Sequence, residues 1–229
     1  QNYCYLDVNM SHRIVLIHAV PMAFDPIKCA FDEFWPEAEI VNLFDDSLST
    51  DRAKSNGLTT DMAKRITDLG NYAGNIGATG VLFTCSAFGP AIDRVANNLT
   101  IPVLKPNEAM FEQALKIGTQ IGMLATFKQS IATMTEEFRE MSKALPLNYS
   151  FDAQHVEGAM ELLRQGDESK HNELIAKHAE SMQHHDVLML AQFSMASAKS
   201  AVSKVAKVPV MASPEAAVKK LRGILLQEV

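Results

Sequence analysis

The sequence lacks the features that assign several classes of function directly. No apolar run reaches the ~20 residues of a membrane-spanning helix, and no dense block of lysine and arginine marks a nucleic-acid surface. A net charge of −6 also argues against nucleic acid as a partner. The chain has no P-loop, no Cys-x-x-Cys pair and no Gly-x-Ser-x-Gly motif. These absences favour a globular protein in water that neither spans a membrane nor binds nucleic acid and that has none of these three motifs.

Cysteine is scarce as well, with three residues, Cys4, Cys29 and Cys85, in a chain of 229. An odd number in a chain of this size does not suit a disulfide framework, so we expect free thiols and a cytoplasmic location. Cys29 lies in an amphipathic segment and is expected in the core. Residues 1–9 fit no later pattern and lack the regions of a signal peptide. We expect them to be a leader or a disordered tail.

The chain contains an internal repeat, which indicates two copies of one structural unit. Three pairs of similar segments share one offset: IVLIHAV with IGMLATF, VLFTCSAF with LMLAQFSM, and IPVLKPNEA with VPVMASPEA. The paired segments begin at Ile14 and Ile121, at Val81 and Leu188, and at Ile101 and Val208.

Short apolar runs without polar alternation recur in each copy and are separated by helical patterns, which is typical of parallel sheets covered on both faces. The predicted fold class is therefore α/β, with two pseudo-symmetric doubly wound units, each with a four-stranded parallel sheet. We expect the first unit to span 10–106, completed by a C-terminal helix over 213–229, and the second to span 107–212. The predicted strands are 13–18, 39–44, 80–84 and 101–104, then 121–126, 147–152, 186–191 and 208–211.

The two units also predict where a ligand binds. In open α/β sheets, ligands bind beyond the carboxyl ends of the strands. Two units face to face would bring their strand ends into one cleft, which is the expected active site. Cys85 follows a strand of the first copy, and Gln192 occupies the matching position in the second. We expect these two residues to face each other.

Cys85 has two interpretations. It is either a small buried residue that closes a strand or a thiol presented to a ligand. Ser86, Ala87 and Phe88 lead from it into a helix with Pro90 in its first turn. A helix N-terminus lowers the pKa of a nearby thiol and binds carboxylates. The sequence thus favours Cys85 as an acid/base or nucleophile beside an anchored carboxylate.

Other strand ends supply candidate binding residues. Gln192 can donate and accept hydrogen bonds but cannot carry a proton near neutral pH, and Phe193 and Ser194 follow it. Ser47, in the segment FDDSLSTD, is either part of a helix cap or a group that binds the polar end of a substrate. Thr126 is likewise either a hydroxyl donor, with Phe127 as an apolar wall, or a cap.

Three histidines recur every seven residues, at His171, His178 and His185. Each pair is two helical turns apart, ~10.5 Å, which is too far for one metal ion. We therefore expect a solvated stripe on a helix and no metal site.

The segments LFTCSAFG and LAQFSMA, one in each half, resemble the aspartate/glutamate/hydantoin racemase superfamily, which also holds arylmalonate decarboxylase and maleate isomerase. The resemblance covers the chain from Met10 to Val229. It implies chemistry without a cofactor on a carbon next to a carboxylate or carbonyl. It also implies a small carboxylic acid as the substrate, favours a homodimer, and gives no role to nucleic acid or membranes.

The resemblance also implies roles for individual residues. In the family's racemases two cysteines flank the reacting carbon; Cys85 matches the first, whereas Gln192 stands at the second position. Ser86, Ala87, Phe193 and Ser194 match the stretches that hold the carboxylate. Pro21 and Thr126 match strand-end loops that line the pocket. Phe88 and Phe127 are expected near the same pocket.

The expected function is a racemase or isomerase that acts at the α-carbon through the single thiol of Cys85. A decarboxylase of a malonate-type diacid is the alternative by the same enediolate chemistry. A carboxylate-binding protein that has lost catalysis is the alternative from another class.

Overall fold

A computed structural model describes residues 11–228. The strands β1 to β8 are Arg13–His18, Glu39–Phe44, Gly80–Phe83, Val103–Leu104, Gln120–Ala125, Ser150–His155, Val187–Leu190 and Val210–Ala212. The helices α1 to α10 are Phe24–Phe34, Ser47–Lys54, Thr60–Asn75, Gly89–Asn98, Glu108–Ile117, Ile131–Lys143, Ala159–Arg164, Glu168–Ala179, Lys199–Val205 and Ser213–Leu226. Short 3₁₀ helices cover Pro21–Ala23, Lys128–Ser130, Glu180–Met182 and Phe193–Ala198.

The strands form two four-stranded sheets, in the orders β2-β1-β3-β4 and β6-β5-β7-β8. All strand pairs are parallel. The predicted α/β fold with two matching parallel sheets is confirmed. Strands β3 and β7 are buried along their whole length, as expected for central strands that helices cover on both faces.

Strand β6 begins at Ser150, later than the predicted 147–152. Leu145 and Leu147, whose apolar character suggested the earlier start, are exposed. Pro146 between them has no N–H to donate to a sheet. The backbone N–H of Ser150 donates to the carbonyl of Thr119 at 2.8 Å, and this bond sets the start of the ladder.

Two helices pack on the sheet opposite to the one whose last strand they follow. Helix α10 follows β8, yet its Val218 and Leu221 join a core cluster with Leu16 of β1. Helix α5 follows β4, yet its Phe111 packs with Met123 of β5 in the core of the second sheet. The two halves therefore share their helical layers. The unit boundaries 10–106 and 107–212 stay predictions.

The prediction that Cys29 lies in the core is wrong, because its side chain is exposed. Helix α1 buries Ile27, Ala30 and Phe31, which lie on one face of the helix at the spacing i, i+3, i+4. Cys29 falls between them on the other side. The expectations for residues 1–9 fall outside the described part of the chain.

The three histidines do not form a solvated stripe. His171 and His185 are buried, and His178 is partly buried. Helix α8 ends at Ala179, so His185 does not lie on the same helix as the other two. Across residues 11–228, no helix is both long and apolar enough to span a membrane.

Candidate active site

The carboxyl ends of the central strands of both sheets meet at one cavity. Cys85 lies between β3 and α4, and Gln192 lies just beyond β7. The side-chain nitrogen of Gln192 donates to the hydroxyl of Ser86 at 3.4 Å, a contact that joins the two halves. Six of the predicted site residues line one narrow cavity: Cys85, Ser86, Phe127, Gln192, Phe193 and Ser194.

Three predicted residues lie just behind these. Ala87, Phe88 and Thr126 are buried and are not part of the cavity wall. The backbone N–H of Ala87 donates to the Cys85 sulfur. Thr126 holds Gln192, since its N–H donates to Oε1 of Gln192 at 2.7 Å. These residues act on the site through their neighbours.

Pro21 and Ser47 lie outside the cavity. Pro21 is exposed at the start of a 3₁₀ turn. Ser47 is exposed at the start of α2, where its hydroxyl donates to Asp45 at 2.5 Å and accepts from Arg65 at 2.5 Å. These contacts with Asp45 and Arg65 occupy the Ser47 hydroxyl. A role at the start of the helix therefore fits Ser47 better than a role in substrate binding.

The cavity wall also contains residues that were not singled out individually from the sequence. Near Pro21 and Ser47, the wall is formed by residues one or two positions away along each turn. Polar character after a strand does not show which side chain points inward. These further lining residues are Val20, Ala23, Ser49, Thr84, Met160 and Arg164.

Cys85 holds its proton at neutral pH. Burial raises the pKa of its thiol to about 11, while the N–H of Ala87 and the guanidinium of Arg52 oppose that rise. The lowered pKa expected from the helix start is therefore wrong. Although the residue is only half buried, its sulfur lies against the wall of a narrow cavity. The cost of removing water from a thiolate is larger than the stabilisation that the Ala87 N–H and the Arg52 charge provide.

Arg52 is a buried cation beside Cys85. Its Nε donates to the carbonyl of Ala87 at 3.3 Å and its Nη2 to that of Gln129 at 3.1 Å. Among residues 11–228 it makes no ion pair with a carboxylate, and burial lowers its pKa. The guanidinium joins the two halves behind Cys85. Its charge offsets part of the cost of negative charge in the cavity.

Gln192 is fixed by hydrogen bonds on both ends of its amide. Its oxygen accepts from the N–H and, at 3.3 Å, from the hydroxyl of Thr126. Its nitrogen donates to Ser130 at 2.9 Å as well as to Ser86. A rigid amide holds neighbouring hydroxyls in place but supplies no proton carrier. Among residues 11–228, Cys85 is the only thiol in the cavity wall.

Ser194 presents an unpartnered hydroxyl at the cavity. The residue is 4% exposed, and its Oγ has no hydrogen-bond partner within the described chain. Buried hydroxyls are normally paired, so this one is available to a ligand. Arg164 also lines the cavity, is exposed, and makes no ion pair among residues 11–228. A hydroxyl donor and a free cation together suit a carboxylate.

Thr84 is oriented by a buried histidine. Nδ1 of His18 lies 2.7 Å from the Thr84 hydroxyl, and its Nε2 lies 2.8 Å from Oδ1 of Asn42. Burial lowers the pKa of His18, and its ring stacks on Phe24 at 4.1 Å. A neutral imidazole held on both sides fixes the wall next to Cys85.

No group of three potential metal ligands lies in the cavity wall as the structure describes it. The one such group found within residues 11–228 is Asp152, His184 and His185, on the second sheet. The cavity therefore offers a thiol, hydroxyls, an amide and a cation. These groups suit a small organic anion better than a metal ion.

Solved structures share this fold at low sequence identity. A glutamate racemase isoform from Bacillus anthracis has a TM-score of 0.76 and 13% identity, covering 95% of this chain and 82% of that one. Allantoin racemase from Pseudomonas fluorescens has a TM-score of 0.73 and 17% identity, covering 95% and 92%. A cysteine mutant of arylmalonate decarboxylase has a TM-score of 0.66 and 14% identity, covering 95% and 94%.

Sequence comparisons agree with the structural ones at the level of the family. Among curated proteins, no sequence matches this chain. The model of the family described as Asp/Glu/Hydantoin racemase matches residues 18–221, which include β2 to β8, the last residue of β1 and the cavity wall as the structure describes it. This chain therefore belongs to the Asp/Glu/Hydantoin racemase family.

Proposed function

We propose that this protein is an enzyme, formally a racemase or isomerase, that moves a proton at the carbon α to a carboxylate without a cofactor. Cys85 is its acid/base. One observation carries the proposal: Cys85 and Ser194, whose hydroxyl has no partner among the described residues, line one narrow cavity. Proton transfer and carboxylate recognition are the two tasks that such a reaction requires.

The binding step uses groups from the second half of the chain. The Ser194 hydroxyl donates to the substrate carboxylate, and Arg164 at the cavity wall supplies a positive charge. Phe127, Phe193 and Met160 provide apolar surface for the rest of the molecule. A small cavity with few polar groups orients one carboxylate and excludes water.

The chemical step depends on stabilising an enediolate. Removing a proton next to a carboxylate places a second negative charge on its oxygens. Fixed donors aimed at those oxygens supply several kcal/mol, and a positioned proton carrier adds roughly 10²–10⁴-fold. Ser194 is such a donor, Gln192 holds the hydroxyls of Ser86 and Ser130 in place, and Arg52 lies behind Cys85 as a buried positive charge.

Decarboxylation is the second candidate, and the protonation state of Cys85 favours it. Loss of CO₂ from a malonate-type diacid forms the same enediolate without a base. The only group then required is a proton donor on one face, and a thiol with a pKa of about 11 is protonated at neutral pH. The fixed amide of Gln192 cannot act as a second proton carrier on the other face.

The test incubates the purified protein with α-substituted mono- and diacids in D₂O and follows the α-proton and CO₂ by NMR. Deuterium uptake without loss of mass supports the racemase or isomerase, and release of CO₂ supports the decarboxylase. Cys85→Ser should abolish either reaction, whereas Cys29→Ser, which removes an exposed thiol, should not change it.

Two further results decide against the proposal. Unchanged turnover in Cys85→Ser contradicts the role of the thiol. Carboxylate binding without exchange or CO₂ release across the panel supports a non-catalytic binding protein instead. Ser194→Ala should weaken substrate binding about tenfold with little change in stability, because it removes a buried hydroxyl that no protein group uses.

A further inference from the structure

A polar cluster lies on the second sheet, away from the active-site cavity. Asp152 is in the edge strand β6, while His184 and His185 precede β7. One ligating atom from each of the three side chains lies within 4.8 Å of the other two. We propose that Asp152, His184 and His185 bind one divalent transition-metal ion, with zinc as the best fit.

The backbone leaves room for this cluster. Strand β5 separates β6 from β7, and Gly122 of β5 is opposite both Asp152 and Leu188. A Cβ at Gly122 would lie 3.0 Å from Cγ and Nδ1 of His185 and 2.7 Å from Leu188. The missing side chain lets the imidazole of His185 lie across β5 toward Asp152. Any larger residue would displace that ring.

The hydrogen bond of His185 points its free nitrogen at Asp152. Nδ1 lies 2.9 Å from the carbonyl of Met182, and because a carbonyl only accepts, Nδ1 carries the proton. In the neutral ring Nε2 then has a lone pair, and it lies 3.3 Å from Oδ2 of Asp152. Backbone carbonyls orient ligating histidines in this way at many metal sites. Two lone pairs this close repel each other unless Nε2 is protonated or both atoms bind one metal ion.

The distance is informative. Charge-assisted N–H···O bonds are about 2.7–2.9 Å long, shorter than the 3.3 Å observed here. Two ligands of one tetrahedral zinc ion, each at about 2.0–2.1 Å, are about 3.3 Å apart. The contact therefore suits two ligands of one ion better than a direct hydrogen bond.

An outer set of hydrogen bonds holds the carboxylate. Nε2 of Gln154 donates to Oδ2 of Asp152 at 2.8 Å, and Nε2 of His178 donates to Oε1 of Gln154 at 2.8 Å. His184 is exposed, and its ring lies 4.0 Å from that of His185. Since Asp152 is also partly exposed, water can complete the coordination. Two imidazoles, one carboxylate and one water form a common zinc set.

The test titrates the chelator-treated full chain with zinc chloride by calorimetry and with cobalt chloride by visible absorption. The expected result is one ion per chain and the d–d bands of tetrahedral cobalt, without a thiolate charge-transfer band. Asp152→Asn and His184→Gln should each weaken zinc binding at least tenfold. Cys85→Ser and Cys29→Ser are the matched controls and should bind zinc as the unmodified chain does.

Zinc should also raise the thermal midpoint of the unmodified chain and leave that of His184→Gln unchanged. His184 is exposed, so this variant tests the site without a change in the buried core. Absence of zinc binding, equal affinity in Asp152→Asn and His184→Gln, or a thiolate band with cobalt would each overturn the proposal. If zinc does not bind, the contact between His185 and Asp152 is an ion pair.

Discussion

At the scale of single residues, the pKa of Cys85 depends more on its surroundings in the fold than on its position in the sequence. The thiol lies where a strand end meets a helix start, and both features favour a low pKa. Burial outweighs them and raises the pKa to about 11. Cys29, in contrast, is exposed on α1. We therefore expect Cys29 to be the more reactive thiol, whereas the sequence predicted a reactive Cys85 and a buried Cys29.

We predict that iodoacetamide modifies Cys29 faster than Cys85 at neutral pH. The thiolate is the reactive form, and Cys85 is both less exposed and more fully protonated. Peptide mass spectrometry over a time course measures both rates in one sample. A ligand of the cavity should slow Cys85 further and leave Cys29 unchanged. Faster modification of Cys85 would contradict the raised pKa.

At the scale of elements, close contact between helices α3 and α4 depends on one glycine. Gly70 of α3 faces Val95 of α4, and a Cβ at Gly70 would lie 2.4 Å from Cγ1 of Val95. Val95 is buried in the first core, so it has little room to move. The small residue sets the separation of these two helices.

We predict that Gly70→Ala destabilises the fold by about 1–3 kcal/mol, the typical cost of overpacking a core. The shorter side chain in Val95→Ala should relieve the clash, so the double variant should lose less than the sum of the single changes. Urea unfolding of the four proteins of this cycle measures the coupling. Gly57→Ala is a matched control, since a Cβ there meets nothing within 4 Å.

The sequence predicted elements well where a pattern repeats and less well where packing decides. Strands β1 and β5 start at Arg13 and Gln120, and their apolar runs are buried in nearly the same pattern. The exposed leucines before β6, Leu145 and Leu147, are apolar like the residues of a strand, but they do not pair with the neighbouring strand. Among site residues, Cys85 and Gln192 were found through the repeat. Arg52 was missed, because nothing in the pattern around α2 distinguishes a buried arginine from a solvated one.

At the scale of the whole molecule, a buried ionic group lies where the two halves meet. Glu137 of α6 is 3.8 Å from Lys105, which follows β4 and also pairs with Asp93 of α4 at 2.9 Å. One carboxylate oxygen of Glu137 has no hydrogen-bond partner within residues 11–228. Burial raises the pKa of Glu137 to about 7, although Lys105 opposes the rise.

We predict that Glu137→Gln stabilises the protein at pH 8 by roughly 1–3 kcal/mol and has little effect at pH 4.5. A carboxyl group with a raised folded-state pKa favours folding below its unfolded pKa, and this contribution declines as pH rises through the folded value of about 7. Unfolding free energies measured across pH 4.5–8 test this. Glu136→Gln, one residue away and exposed, is the control. Equal pH profiles for Glu137→Gln and the unmodified protein would contradict the raised pKa.

The homodimer and the cytoplasmic location expected from the sequence stay predictions.

Helix α10 has a consequence for biosynthesis. Its Val218 and Leu221 cover Leu16 of β1, so residues that leave the ribosome late complete a hydrophobic layer begun by residues that leave it early. Helix α1 covers part of this face early, but vectorial synthesis leaves the part that α10 covers open to water until α10 has been made. The first sheet therefore reaches its final packing only after translation of α10, and a chaperone that shields apolar strands during elongation would act on this face.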